Sequence, residues 1–281
     1  MIQPVLIIQG GAGRKFTDRR RPALLHKKIS HILKLAYKKL TETNALKAVT
    51  YAVRLLEDDP EFNAGTGSQL QADGHARLSA SLMDGKSERF AGVINLERIK
   101  NPIFVARALL SETDRVLAGE GAFRFAKKLG LKPQDTRTSG AIRRWKKWQS
   151  AGFDTVGACA LDRYGHLASA TSSGGRGFEQ RGRVSDSGMP VANYAHEKCA
   201  VSATGIGEEI IEEGLAIKIA TRVLDGMKLG QAFRQTFSEI GAKGKQMGAV
   251  GLDSKGNVAY ASTTEVLIFG WQKGKRIFVS P

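Results

Sequence analysis

The stretch "GFDTVGACALD", Gly152 to Asp162, sets a threonine directly after an aspartate at the start of a β-forming run. A threonine hydroxyl is a weak nucleophile at neutral pH and needs a base beside it. The histidines that would serve a serine-hydrolase arrangement are His26, His31, His75, His166 and His196, yet none stands in a nucleophile elbow and no Gly-x-Ser-x-Gly string occurs. Thr155 has a second route. If the bond from Asp154 to Thr155 is broken, the α-amino group of Thr155 lies within reach of its own hydroxyl. With a pKa of about 7.7 to 8.0, much of that amine is unprotonated near neutrality. The same hydroxyl can make the cut, attacking the Asp154 carbonyl to give an ester that water opens. Taken alone, Thr155 also suits an ordinary strand.

Two further groupings have chemistry in them. Arg183 and Asp186, in "GRVSDS", combine a planar guanidinium that binds a carboxylate through two parallel hydrogen bonds with a carboxylate that accepts an ammonium. Together they match the free α-groups of an amino acid, although a surface ion pair would read the same way. "ATGIGEEII" leads into a helix, whose N-terminus gathers free N–H groups and positive potential suited to a developing oxyanion; Glu208 and Glu209 also complement an ordinary helix start.

The elements that must position these residues are legible in outline. Leu25, Ile29, Ile32, Leu33, Ala36 and Leu40 keep the helical period, and "NALKAVTYAVRLLEDD" is a second helix that stops where Asp59 meets Pro60. Residues 76–83 alternate as a strand. "NPIFVARALL" opens a helix with Asn101 as cap and Pro102 at its first position, and another ends at Gly130. From Leu131 to Phe153 the sequence is polar, basic and aperiodic, and reads as a flexible linker. "TVGACALDRYGHLASATSSGG" and "MGAVGLDSKGNVAYASTTE" each place an Asp-x-x-Gly turn between β-forming runs, so they are hairpins of one kind; helices from Glu208 to Leu224 and from Gln231 to Ile240 lie between them. The order predicts an α+β fold of antiparallel sheets covered by helices.

Composition sets the limits. The 281 residues, 42% of them hydrophobic, suffice for a sizeable core. Cys159 and Cys199 allow at most one disulfide and no four-cysteine metal site, which fits a reducing cytoplasm. "MIQPVLIIQGGAG" lacks the basic start and the apolar length of a signal peptide, and no later run is long enough to span a membrane. The 43 Lys and Arg against 27 Asp and Glu leave a charge of +16, concentrated in residues 14–39 and 143–149. No helix-turn-helix, zinc-finger or RNA-recognition pattern accompanies it, so nucleic acid is not the expected partner.

In five strings spread over nearly its whole length, the chain resembles the plant-type asparaginase and isoaspartyl peptidase family of N-terminal-nucleophile hydrolases. The strings are "IIQGGAG", "FNAGTGS…DGHARLSASLMDG", "DTVGACALDRYGHLASATSSGG", "GRVSDS" and "ATGIGEE". The resemblance implies a four-layer αββα sandwich, a single domain 1–281 that cleaves itself into an α subunit 1–154 (131–154 its linker) and a β subunit 155–281, and a homodimer of cleaved αβ units. It implies Thr155 as nucleophile, freed by the cut after Asp154, Ser173 as a hydroxyl bonded to it, and Asn63 beside it. Thr204 and Gly205 become the oxyanion donors and Arg183, Asp186 and Gly207, with Thr204 and Gly205, the substrate pocket. A main-chain Na⁺ loop is implied at Leu56, Glu57, Asp59, Phe62, Ala64 and Thr66, with no cofactor for catalysis. The implied substrate carries an aspartyl β-amide, as in isoaspartyl dipeptides and L-asparagine.

Three departures stand out: Gln9 where the family usually has histidine, Ser173 where it has threonine, and Ser185 where it has glycine; the segment after the clamp is also shortened, over residues 187–200. They bear on which substrate is accepted and place these changes beside the pocket. Rival readings are a threonine endopeptidase, a glycosylasparaginase-like hydrolase, and a basic nucleic-acid-binding protein with a retired site.

Overall fold

The computed structural model describes residues 2–148 and 155–280. The strand β1 (Val5–Gly13) is followed by two helices, α1 (Arg21–Glu42) and α2 (Ala45–Asp58). Then come β2 (Leu78–Asp84), β3 (Arg89–Leu96), α3 (Pro102–Leu109), β4 (Val116–Ala118), α4 (Gly119–Lys128) and α5 (Ser139–Lys146). The second half runs β5 (Val156–Leu161), β6 (Leu167–Ser173), β7 (Asn193–Ala195), β8 (Cys199–Gly205), α6 (Gly207–Glu213), α7 (Leu215–Leu224), α8 (Leu229–Ala242), β9 (Met247–Asp253), β10 (Val258–Ser262), β11 (Val266–Lys273) and β12 (Arg276–Val279). This is a mixed α+β fold, as the order of sequence patterns predicts.

Eight strands pair in the order β12-β11-β1-β5-β6-β2-β3-β4 and four in the order β10-β9-β8-β7, antiparallel throughout except β3 with β4. The faces of the two sheets meet over Val5, Ile7, Met83, Cys159, Leu161, Leu167, Val250, Leu252 and Phe269, all buried. Alternation along β1 explains this: Val5 and Ile7 point into that contact, while Leu6 and Ile8 point the other way, into the cluster built with Ile29, Leu33, Val49, Val53 and Leu56 of α1 and α2. A third cluster joins Ile210, Leu215, Ile219, Phe233 and Ile240 of α6, α7 and α8 to Val201 and Met247. Burying a side chain of this size contributes roughly 1.5–3 kcal/mol, so the helices are anchored by their apolar stripes. No helix among the described residues is long and apolar enough to cross a membrane.

Three sequence readings change. The helix expected from Glu208 to Leu224 is two helices, broken at Gly214, whose φ of 59° is left-handed and open to glycine. Asn101 does precede α3, but its amide donates to Glu57 and Asp58 instead of capping, and the Glu57 carboxylate accepts from Ile103 N at 3.2 Å in its place. The stretch read as a flexible linker is tied down through residue 148. Thr138 caps α5 by accepting from Ala141 N, Trp145 Nε1 donates to the Gln71 carbonyl at 3.0 Å, and Trp148 stacks on Phe178 with ring centres 5.2 Å apart. A side-chain cap and two aromatic anchors do not need a long amphipathic stripe, so the pattern left no periodic trace. Asp154, on the expected cleavage bond, lies outside the described residues.

Candidate active site

Thr155 stands immediately before β5 and is 5% exposed. The register pairs Val156 with Ser172, which brings Ser173, at the end of β6, alongside Thr155. The Ser173 hydroxyl accepts from Gly175 N at 3.1 Å, leaving its proton free to donate. A cleft at this point is lined by Thr155, Ser173, Gly175, Arg183, Asp186, Gly205 and Gly207, among others. Six of these seven are residues that the sequence singled out, delivered from the ends of β5, β6 and β8, the segment before β7, and the first turn of α6.

The charged pair is built as a clamp. Asp186 opens a 3-10 turn capped by Ser185, and its Oδ1 accepts from the Ser185 hydroxyl at 3.2 Å, whereas Oδ2 is buried and has no partner among the described residues. Burial pushes the Asp186 carboxyl up to about 6 against the opposing pull of the Arg183 guanidinium. Arg183 is held by Glu208, Nε to Oε1 at 3.0 Å and Nη2 to Oε2 at 2.9 Å. Gly207 has to be glycine here, because a Cβ would come within 2.7 Å of Asp186 Oδ1 and also meet Arg183. Thr204 is fully buried, its hydroxyl has no partner among the described residues, and Gly205, with φ 138°, hands the chain from β8 into α6. Buried polar groups without partners are rare in folded proteins and collect where a ligand completes them.

Asn63 does not line this cleft. Its Oδ1 accepts from Gln69 N at 2.9 Å and its Nδ2 donates to the Gly175 carbonyl, so it braces the cleft wall from behind. Gln9 is also removed from the pocket: it is fully buried, its Oε1 accepts from Gly11 N at 2.8 Å, and its Nε2 donates to the Ala203 carbonyl at 3.4 Å. It therefore ties β1 to β8 one residue before Thr204, a donor-and-acceptor task that an amide performs as a histidine could. Of the three departures, only Ser173 and Ser185 face the cleft. Gly175, Arg176 and Ile206 line it as well and went unnoticed in the sequence; the glycine pair in "SSGGRG" was the available signal, since Gly175 has φ 81°.

The residues of the expected cation loop follow the end of α2. The carbonyls of Leu56, Asp59, Phe62 and Ala64 each accept one backbone N–H, which leaves each a lone pair, and the Thr66 hydroxyl is buried without a partner. The Glu57 and Asp59 carboxylates are engaged elsewhere, Glu57 with Asn101 and Ile103, Asp59 with Lys28 at 2.6 Å. Hard main-chain oxygens are donors that suit an alkali cation, and among the described residues no group of three or more His, Cys, Asp or Glu could hold a metal.

The hydroxyl of Thr155 at a strand start, the cation of Arg183 and the carboxylate of Asp186 line one cleft on an α+β scaffold, and Thr204, with its buried hydroxyl, directly precedes the cleft-lining Gly205. The sequence profile of the asparaginase family matches residues 2–153 and 146–279, and this chain belongs to that family. It is 40% identical over 298 residues to the isoaspartyl peptidase/L-asparaginase of Nostoc sp., covering 98% of this chain and 94% of the relative. The isoaspartyl peptidase/L-asparaginase of Synechocystis sp. is 41% identical over 294 residues, 98% and 89% of the two chains. The plant-type L-asparaginase of Pyrococcus abyssi is 36% identical over 298 residues, 95% and 96%.

Proposed function

We propose that this protein hydrolyses the β-amide of aspartyl units, in isoaspartyl dipeptides and L-asparagine, with Thr155 as an N-terminal nucleophile. The observation that carries the reading is the convergence of Thr155, Arg183 and the half-satisfied Asp186 on one cleft. Maturation begins with the Thr155 hydroxyl attacking the Asp154 carbonyl; the peptide bond becomes an ester, and water opens it to leave a carboxylate on Asp154 and a free amine on Thr155. In turnover that amine takes the hydroxyl proton, Oγ1 bonds to the substrate β-carbonyl carbon, and the oxygen charge falls to the Thr204 hydroxyl and the Gly205 N–H. The ammonium then protonates the leaving nitrogen as its bond to carbon breaks. Water, deprotonated by the same amine, opens the acyl ester and releases aspartate. Arg183 holds the substrate α-carboxylate and Asp186 its α-ammonium, while Ser173 donates to Oγ1.

The same reading extends to the scaffold. The three apolar clusters support a four-layer αββα sandwich, the loop carbonyls would hold a structural Na⁺ that rigidifies the segment behind Asn63, and the mature form is a dimer of cleaved αβ units. Intact-mass analysis tests the central step: purified protein should yield fragments 1–154 and 155–281 without added protease, and Thr155→Ala should remain whole. A folded wild-type chain that stays uncut, or a cut one that turns over only N-acylated peptides, would overturn the proposal.

A further inference from the structure

A second and larger cleft has a volume of about 810 Å³. Gly11, Ala12 and Gly13, at the end of β1, line it together with Asn63, and the antiparallel register that pairs Gln9 with Gly157 directs this end of β1 toward the start of β5, which Thr155 precedes. The Asn63 amide donates to the carbonyl of Gly175, which lines the first cleft, so this side chain links the walls of the two clefts. An amide bound by its aspartyl half at Arg183 and Asp186 must direct the substituent on its nitrogen away from that clamp. L-Asparagine has only ammonia to release there, and a volume of this order accommodates a whole residue or more.

The outer wall carries Arg14, Lys15, Arg21 and Arg144 against Asp18 and Glu61. Asp18 accepts from Arg20 N at 2.9 Å, and Glu61 lies 3.9 Å from Arg21, which also covers the Phe16 ring, so the cations of this wall still outnumber its acids. Glu265, nearby, accepts from the main-chain N–H of Lys15 at 3.0 Å. Arg14 and Lys15 are exposed and line this cleft.

Resting on the reaction proposed above, we infer that this basic cleft is the subsite for the leaving residue and selects isoaspartyl dipeptides whose second residue is anionic. Such a leaving group brings its own α-carboxylate and a second carboxylate to meet Arg14 and Lys15, whereas a lysine in that place meets like charge.

The test compares kcat/KM of the cleaved enzyme on isoaspartyl-glutamate, isoaspartyl-alanine, isoaspartyl-lysine and L-asparagine. Several partly exposed pairs acting together predict about a tenfold preference for the glutamate over the lysine dipeptide at low salt, narrowing as salt screens it. In Arg14→Ala/Lys15→Ala, the ratio of isoaspartyl-glutamate to L-asparagine turnover should fall and the glutamate-to-lysine preference should flatten, mostly through KM. Equal turnover of the two charged dipeptides by the wild type, or a preference that salt and the double substitution leave intact, would overturn the subsite. Failure of the hydrolase reading has a different signature, since L-asparagine and isoaspartyl-alanine would then go unhydrolysed too.

Discussion

The Arg183 guanidinium is held by both oxygens of Glu208, at 3.0 and 2.9 Å, in the cleft where it would otherwise bind an incoming carboxylate. The Arg183 side chain is 13% exposed and that of Glu208 44%, so the acid sits on the solvent side and can swing away. On the proposed reaction, Glu208 competes with the substrate α-carboxylate for Arg183. Glu208→Gln, which keeps one hydrogen bond and removes the charge, should lower KM for L-asparagine about threefold and leave kcat within twofold, in keeping with the modest worth of a partly exposed pair. Arg183→Ala should cost far more, roughly a hundredfold or greater in kcat/KM, because it leaves the substrate carboxylate unpaired. Steady-state kinetics of the two variants check this; a higher KM in Glu208→Gln would make Glu208 a support for Arg183 instead.

Asp186 predicts an acid limb in the pH profile. Burial raises its carboxyl to about 6, and only the ionised form can accept the substrate ammonium. Protonation of the Thr155 amine already lowers kcat/KM on the acid side, and proton uptake by Asp186 should add a further tenfold loss per pH unit below about 6. Asp186→Asn should lower activity at neutral pH and abolish this further loss; the same loss in the variant would assign it to another group.

Thr204 separates catalysis from stability. Its hydroxyl is buried and has no partner among the described residues, a cost to the resting fold that the proposed oxyanion role would recover. Thr204→Val replaces it with a methyl of the same shape. The variant should melt higher, by roughly 1 kcal/mol of stability, while kcat falls about a hundredfold. Thermal melts and kinetics on the same cleaved sample decide, and a lower melting temperature would mean the hydroxyl has a partner in the resting protein.

How far the sequence reached follows from the range over which each contact is encoded. Thr155 stood out by the chemistry of its own position and Ser173 through the family resemblance, and the β5–β6 hairpin, whose register is a local matter, brings the two side by side. Helices α1 and α2 announced themselves through a stripe that one face must bury. By contrast, the Arg183–Glu208 pair spans 25 residues, and Glu208 at the start of α6 reads as a helix-dipole partner with no sign of what else it meets. Gln9 looked like a change in the pocket because sequence shows adjacency to a glycine turn and not which sheet its amide faces. The basic cleft was invisible for a similar reason: Arg14 and Lys15 belong to a long basic run, and only the fold of β1 past Asn63 gives two of those charges a cavity to face.

Glu57 predicts a stability change at neutral and mildly basic pH. Fully buried beneath the start of α3, it accepts from Asn101 Nδ2 and Ile103 N, yet burial outweighs these bonds and raises its carboxyl from 4.5 to about 8. A raised folded-state pKa means that the native protein holds the proton more tightly than the unfolded chain. The contribution is complete below about 4.5 and is lost as pH rises through about 8. Other shifted groups act elsewhere. Asp186 has the same sign but is spent above about 6, and His196, whose pKa burial lowers from 6.5, opposes it as pH falls below that value. Glu213, held well below its ordinary range by Lys218, Lys243 and Lys245, matters only in acid. Between pH 6.5 and 8 Glu57 therefore governs the slope: the wild-type melting temperature should fall across that interval, and Glu57→Gln, neutral at every pH, should flatten it. A wild-type protein whose melting temperature is constant or rising from pH 6.5 to 8 would show that Glu57 ionises at no cost in the folded state.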